Sequence, residues 1–582
     1  MFYSNYFSFI IISSSILYFI FTVLSNVILN LYSYNPDSNY DMYFASRLLG
    51  GELIFTREFY DKFPLVSFLF IIPAQYKNID FWIAGNIFVS LLASGALSVI
   101  INYIFYYYSN YSISLIIRLF ISCFYLYFLS SIQGAFAYIN PLSASFYIFF
   151  IYCILKAESK YKNIILSNFW FILASLCASV TISIRPYYLL SILYILFWRM
   201  LFTKFSNRSS FSTYYISNII NFTCRFVTTY GYFLFLMCVW FFIFNIFPYI
   251  LLNVSDSLFI GLRMLLLDLK PNNYFDTLYS QLLYFVGLTL LSKFILIFSF
   301  AGLIFMLVFR KTDFFIYDKR LLNSLFALDV ICMSFIPIVF LEIMILSKHY
   351  WPHYMQLFVP NIVIFCGLVL CYIVYSKVFY LVIKHLILRL SFFYKFDFVT
   401  VLMTYFNYIT LNIKKYIYLL LCIYVVFVFR IFSEVFHNTI DSVKFIQKQN
   451  NREYIMINTI RDIRHQRQGA GLGDDFLYTS NMFSHWMLGE SRHGFPHAAH
   501  FSAISQGWFS NWNPRSVMPG FPTTTDNLCR KITLSGPSIV LVPKNSALFE
   551  CMSSKPPINY SINGIFFDYD GPVAVMFRDI SH

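Results

Sequence analysis

At 582 residues, 59% hydrophobic, 22% aromatic and only 12% charged, the chain is excluded from the ordinary soluble globules, where about a quarter of residues carry charge. Its net charge of +14 would suggest a nucleic-acid partner if the Lys and Arg shared one surface, but they fall in short clusters between apolar runs of membrane-spanning length. The expected fold class is an all-α polytopic membrane domain followed by a small α/β domain.

Apolar runs are predicted to span at 7–31, 81–107, 113–131, 142–155, 164–184, 187–201, 226–252, 281–309, 321–346, 354–376 and 416–433, about eleven helices in all. The first run is too long for a signal peptide and lacks a basic segment ahead of it, so it is expected to be a retained anchor. The stretch 377–415, broken by Lys384, Arg389 and Asp397, reads either as an interfacial segment or as an extra hairpin. Basic residues mark alternate connections: Lys156, Lys160 and Lys162, then Lys204 and Arg208, then Arg310, Lys311, Lys319 and Arg320, then Lys377 to Lys415. The positive-inside rule puts these in the cytoplasm. Parity then places the loop after the first span, the 132–141 turn, Arg185, the 253–280 loop and the turn from Lys348 to His353 on the opposite face.

Near Ser433 the composition changes. Charge, Gly, Pro, His and Trp rise together, so 1–433 is expected to form the membrane domain and 434–582 a soluble extracytoplasmic one, with strand-like runs at 538–542 and 564–567. The densest imidazole group, His485, His493, His497 and His500, matches no standard zinc spacing. Trp486, Trp508 and Trp512 offer stacking faces for sugar rings or ordinary core packing. Of eleven cysteines only Cys529 and Cys551 lie in this tail, where an oxidising compartment would allow them to pair.

The loop between the first two spans, Asn35 to Pro64, holds five acids and three bases in thirty residues of a charge-poor chain. Pro36 is expected to end the helix, and Ser38 and Asn39 to favour a turn, holding Asp37 at the bilayer surface. The residues there suit a general base, Asp37, and an ammonium, Lys62, for a phosphate; a solvated loop with surface ion pairs worth about 0–1 kcal/mol is the competing reading. The apolar segment between Pro64 and Pro73, too short to span, suits an interfacial helix. Arg185, at the end of an apolar run and before Pro186, costs about 2.5–3.5 kcal/mol if left at the bilayer centre, and reads either as a clamp on a phosphate or as a topological anchor. Lys293 and Asp329 interrupt spans and are expected to serve helix packing, while Glu342, near an outer end, is a candidate cavity residue.

The pattern Asp37-x-x-Tyr40, Ala45, Leu48-Leu49-x-Gly51, then Tyr60-Asp61-Lys62-x-Pro64-Leu65, resembles the first extracytoplasmic loop of GT-C glycosyltransferases. The nearest likeness is the family 39 kind, which includes protein O-mannosyltransferases and the lipid A aminoarabinose transferase. The segment from His349 to Pro360 resembles that family's His-Tyr-x-x-x-Leu-x-Pro entry into a late helix, and Leu477 to Pro496 its small closing domain. The resemblance implies transfer of a sugar from a polyprenyl-phosphate carrier to a glycolipid, polysaccharide or protein acceptor outside the cytoplasm, across a bacterial inner membrane. It also implies Asp37 as the catalytic carboxylate and Asp61-Lys62 as an element that helps hold acceptor and donor phosphate. With the reading of the residues themselves, Asp37 and Asp61 are the expected catalytic residues, and Tyr40, Asp41, Lys62, Arg185, His349, His353 and Tyr354 the expected substrate contacts. Ser38 departs from the family, where an acid often follows the first Asp.

No cofactor is expected. A divalent metal is not supported by spacing, since Pro352 breaks the helical register between His349 and His353. The absence of a P-loop or Rossmann fingerprint leaves direct use of a nucleotide sugar unsupported. Two alternatives stay open: a polysaccharide polymerase or ligase using a diphosphate-linked oligosaccharide, and a non-enzymatic transporter of lipid-linked sugar. The first usually carries a large basic loop between late helices, and the second paired broken helices in two repeats, neither of which is evident here.

Overall fold

The computed structural model describes residues 2–32, 36–51, 62–109, 112–131, 135–159, 163–205, 219–251, 324–346, 352–375, 455–466, 477–479, 524–535, 539–554, 560–568 and 571–578, with short helical pieces within 296–304 and 439–452. Among the described residues up to 375, helices dominate: α1 (Phe2–Tyr32), α2 (Pro36–Leu49), α3 (Pro64–Leu69), α4 (Ile71–Gln75), α5 (Asp80–Ser109), α6 (Leu115–Ser130), α7 (Asn140–Ser159), α8 (Ile164–Ile184), α9 (Tyr188–Phe205) and α10 (Ile219–Asn245). Among the described residues four helices are long and apolar enough to cross a membrane, Asp80–Ser109, Asn140–Ser159, Ile164–Ile184 and Phe326–Ile345, and shorter apolar helices accompany them. The protein is an integral membrane protein. The predicted spans at 281–309 and 416–433 and the ambiguous 377–415 fall largely or wholly outside the described residues.

Small polar residues let the helices approach. α7 and α8 form an antiparallel hairpin, joined near its open end by Ser143 Oγ to the Thr181 carbonyl (3.4 Å) and near its closed end by Ser167 Oγ to the Ala157 carbonyl (3.0 Å). Ser145 Oγ meets Ser90 Oγ of α5 at 3.4 Å. Gly367, on the helix Val359–Tyr375, lies where a Cβ would come within 2.6 Å of Ile101 Cδ1, so its lack of a side chain sets that crossing. The span Phe326–Ile345 contains one π-helical turn, Ile331–Phe335, ahead of Pro337. Proline lacks the amide that would continue the ladder, and a wider turn accommodates the loss.

The bundle has two polar ends. At the end where α5 and α7 finish, Arg199 Nη2 pairs with Glu158 Oε2 at 2.6 Å, Tyr230 donates to Glu158 Oε1 at 3.3 Å, and Trp198 Nε1 donates to Asp329 Oδ1 at 2.7 Å. These groups tie α7, α9, α10 and the helix bearing Asp329 together, the packing role expected of that acid. The opposite end gathers the start of α7, the ends of α6, α8 and α10, and the segments carrying Asp37, Lys62 and His353. It is the end away from the basic connection at Lys156.

The C-terminal residues build a mixed sheet in the order β1-β2-β4-β3, with β1 (Leu477–Thr479) parallel to β2 (Ile539–Pro543), and β4 (Gly571–Arg578) antiparallel to both β2 and β3 (Tyr560–Asp568). Both faces of β2 are covered, which is why it reads as an unbroken apolar run. Ile539, Leu541, Val573, Val575 and Phe577 pack on Met456, Ile457 and Ile460 of the helix at 455–466. Val540, Val542, Ala574 and Met576 are buried on the other face, where Thr525–Ser535 and Ala547–Ser554 supply Leu528, Ile532, Leu548 and Met552. A disulfide between Cys529 and Cys551 joins those two helices. The strand-like runs at 538–542 and 564–567 are thus strands, while β4 was not foreseen. His485, His493, His497, His500, Trp486, Trp508 and Trp512 lie outside the described residues.

Candidate active site

The first correction concerns Pro36. The sequence reading had it end a helix and open a turn, whereas it begins one: Pro36–Leu49 is helical, with Pro36 at its first position and Asp37 in its first turn. Proline is at home there, because the amide it lacks would have no partner in the first turn of a helix. Ser38 is buried, and its hydroxyl donates to the Ala137 carbonyl at 2.6 Å, fixing the start of α2 against the 135–140 segment. Tyr40, Asp41, Tyr43 and Phe44 follow into the interior. The helix closes at Gly50-Gly51, where Gly51 takes a φ of 83° and its amide bonds the Leu48 carbonyl at 3.0 Å. A side chain there would be strained, which accounts for the glycine of the Leu48-Leu49-x-Gly51 pattern.

Lys62 is placed by what comes after it. Phe63 meets Phe241 edge to face at 5.3 Å, and the Leu65 amide donates to Asn245 Oδ1 at 3.2 Å, while Asn245 Nδ2 donates to Ser183 Oγ at 2.7 Å. The expected interfacial segment is two short helices, α3 and α4, with a break at Phe70, whose ring stacks on Trp82 at 3.9 Å. So held, Lys62 Nζ reaches Asp41 Oδ1 at 2.7 Å, both side chains buried, and lies 5.4 Å from the centre of the Tyr40 ring. The sequence reading had the ammonium meeting a phosphate; the structure gives it a carboxylate partner within the protein.

Arg185 caps α8. The proline that follows bars it from helical backbone, and it adopts an extended conformation (φ −140°, ψ 98°). Its side chain turns inward: Nε donates to Asn140 Oδ1 at 2.6 Å, and the guanidinium carbon sits 5.2 Å from the centre of the Tyr354 ring. Cation and ring attract each other by about 0.5–2 kcal/mol. Asn140 Nδ2 in turn donates to the His353 carbonyl at 2.8 Å. His353 lies in the tight turn Pro352–Leu357, its ring stacked on Tyr138 at 4.3 Å and edge-on to Tyr354 at 4.8 Å.

The 135–140 segment is the hub of this end. The Ala137 carbonyl accepts from Ser38 and also from Trp82 Nε1 at 2.9 Å, and Asn86 Nδ2 donates to the carbonyls of Phe136 and Tyr138 at 2.8 Å each. Gln356 Nε2 donates to the Ala135 carbonyl at 3.3 Å. Segments far apart in sequence therefore hang from one short stretch of main chain. Of the residues expected to act, Tyr40, Asp41 and Lys62 form one group and Arg185, His353 and Tyr354 another, both at this end. Asp37 is placed by its backbone beside Ser38, and Asp61 and His349 lie outside the described residues. Asn140, Trp82, Asn86 and Tyr138 were not singled out from sequence, and Ser38 was expected only to favour a turn. The one signal for Asn140 is an amide before a proline at the start of an apolar run, a pattern common to helix starts of every kind.

Burial holds His353 well below the ordinary imidazole value of 6.5, and the nearby Arg185 and Lys62 cations add to the effect. Its neutral form is favoured in the folded protein. The unfolded chain therefore takes up a proton before the folded one does, and the stability this group contributes is fully present above pH of about 6.5 and lost as pH falls toward the folded value. His353→Asn is expected to flatten that part of the stability profile. Apparent Tm measured in detergent between pH 5 and 8 checks it; a wild type and variant with parallel profiles would refute it.

No known protein-family profile matches the chain, and no curated protein sequence does. Among solved structures, the crystal structure of ArnT from Cupriavidus metallidurans bound to undecaprenyl phosphate is similar to it with a TM-score of 0.50 and 11% identity, covering 96% of this chain and 97% of that one. At that identity the likeness is one of fold, and it is the GT-C fold that the loop motifs led us to expect.

Proposed function

Proceeding from the fold that it shares with ArnT, we propose that this protein is an integral-membrane glycosyltransferase, which takes a sugar from a polyprenyl-phosphate carrier and transfers it with inversion to an acceptor hydroxyl outside the cytoplasm. The observation that carries the reading is the gathering of two cation groups, Lys62 with Asp41 and Arg185 with Asn140, at the bundle end that holds the first turn of α2. A shared fold alone does not specify chemistry. Cations beside an acid in a chain with 12% charged residues do supply what this reaction needs.

In the proposed step the acceptor oxygen forms a bond to the anomeric carbon as the bond from that carbon to the phosphate oxygen breaks. Asp37 takes the acceptor's proton, and the electron pair leaves with the phosphate, which is already a competent leaving group and needs no second carboxylic acid to protonate it. Arg185 and Lys62 meet the charge that grows there. Asp61, beside Lys62, helps hold the acceptor and the donor phosphate in the reacting position, and Tyr40, Asp41, His349, His353 and Tyr354 line the donor and acceptor positions. No metal is required in this scheme. The lipid bound to ArnT, undecaprenyl phosphate, is the carrier type that the reading favours. The setting we infer is a bacterial inner membrane, with residues 434–582 on its outer side, where the Cys529–Cys551 disulfide suits an oxidising compartment.

The test is direct. Purified protein incubated with a panel of polyprenyl-phosphate sugars and extracted envelope acceptors is expected to consume one donor, followed by mass spectrometry, and to do so equally in EDTA. Failure to consume any donor while the protein still binds polyprenyl phosphate would favour carriage of the lipid over transfer.

A further inference from the structure

We propose that Asn140 is a positioning residue for the carrier phosphate: its carboxamide holds Arg185 through Nε and the His353 main chain through Nδ2, presenting the Nη edge of the guanidinium to the phosphate. This rests on the function proposed above and goes beyond it, because it concerns a residue that neither the loop motifs nor the turn motif contains.

Three features carry it. Asn140 is fully buried, and both polar atoms of its side chain are engaged, the oxygen by Arg185 at 2.6 Å and the nitrogen by the His353 carbonyl at 2.8 Å. With both ends fastened, the amide has one orientation, and the guanidinium inherits it. Second, the bond is made to Nε, the nitrogen that a two-pronged Nη contact with phosphate does not use. The Tyr354 ring flanks the guanidinium carbon at 5.2 Å and limits its swing. Third, an amide is neutral. A carboxylate at this place would orient the arginine equally well but would compete with the phosphate for its charge, as Asp41 does for the Lys62 ammonium at 2.7 Å. Asn140 therefore orients the guanidinium without adding a negative charge of its own beside it.

The experiment uses full-length protein in nanodiscs, with undecaprenyl phosphate as the probe and Asn140→Asp, Asn140→Leu, Arg185→Lys and the double Asn140→Leu/Arg185→Lys as variants. Asn140→Asp and Asn140→Leu are each expected to weaken binding of the probe at least about tenfold, a loss near 1.4 kcal/mol. In the transfer reaction KM for the donor is expected to rise by a similar factor, with KM for the acceptor changed less than about twofold. In the Arg185→Lys background the added Asn140→Leu change is expected to cost less than about twofold, because the residue acts through the arginine. A purely structural role would lower thermal stability and both KM values together and would give independent effects in the double variant, and that pattern overturns the proposal. If Asn140→Leu does not fold, Asn140→Asp, which keeps size and the acceptor oxygen, decides the matter by the same binding measurement. Wild-type protein that fails to bind the probe removes the functional reading itself; wild type that binds, with Asn140→Asp binding equally, removes only the role of Asn140.

Discussion

Asp37→Asn is expected to lower kcat for sugar transfer by about 10²–10⁴-fold, the usual contribution of a positioned general base, while KM for the polyprenyl-phosphate donor changes little. Asparagine has nearly the same shape and keeps one acceptor oxygen, but it does not take the acceptor's proton. The backbone that carries the residue is well fixed, by Pro36 at the first position of α2, by the Ser38 hydroxyl on the Ala137 carbonyl at 2.6 Å, and by buried Tyr40, Tyr43 and Phe44 behind it. A loss of rate therefore reports on chemistry rather than on a displaced helix. Single-turnover transfer with radiolabelled donor, beside a binding isotherm for undecaprenyl phosphate, measures the two quantities separately. A rate within about threefold of wild type, in correctly inserted protein, would assign the base elsewhere, with Asp61 the next residue to test.

Breaking the Asp41–Lys62 pair from either side has the largest expected effect on stability. The ion pair is short, 2.7 Å, and its side chains are only 7% and 2% exposed for Lys62 and Asp41. Removing one partner leaves a buried charge without its counter-ion, which costs about 3–5 kcal/mol, whereas replacing both with apolar residues of similar volume is often close to neutral. Asp41→Leu and Lys62→Met are each expected to lower the apparent unfolding temperature sharply, and the double variant to recover most of the loss. Transfer activity is expected to stay low in Lys62→Met and in the double variant, since both lack the ammonium. Denaturant titration of the four proteins closes the cycle; if the single effects simply add, the pair contributes little as a unit.

Helix positions were legible because length and hydrophobicity together specify a span: the run predicted at 164–184 is Ile164–Ile184, and that at 187–201 matches Tyr188–Phe205 to within one residue at its start. The parity of basic clusters foresaw that the loop after the first span, Arg185 and the His353 turn share one end, and the bond from Ser38 to Ala137 and those among Asn140, Arg185 and His353 bear that out. Local chemistry misled at Pro36, because the same residue that ends one helix is favoured at the start of the next, and sequence alone does not say which. Apart from Cys529 with Cys551, which sequence allowed to pair, the side-chain pairings were not legible. Asp41 and Lys62 are 21 residues apart, Asn140 and Arg185 45, and Asn140 and His353 213, separations set by helix packing and not by any local pattern. The likeness to ArnT covers nearly the whole chain at 11% identity, so the fold is alike where few residues are.

The 135–140 hub of this chain tolerates changes of sequence. Apart from Asn140, what it offers to Ser38, Trp82, Asn86 and Gln356 is peptide oxygen, which any amino acid provides. Substitutions along 135–139 can accumulate without moving those acceptors, provided that the side chains still fit. Distant kin of this protein are then best sought by superposing frameworks, with a short turn ahead of the fourth span serving as the landmark, rather than by aligning letters.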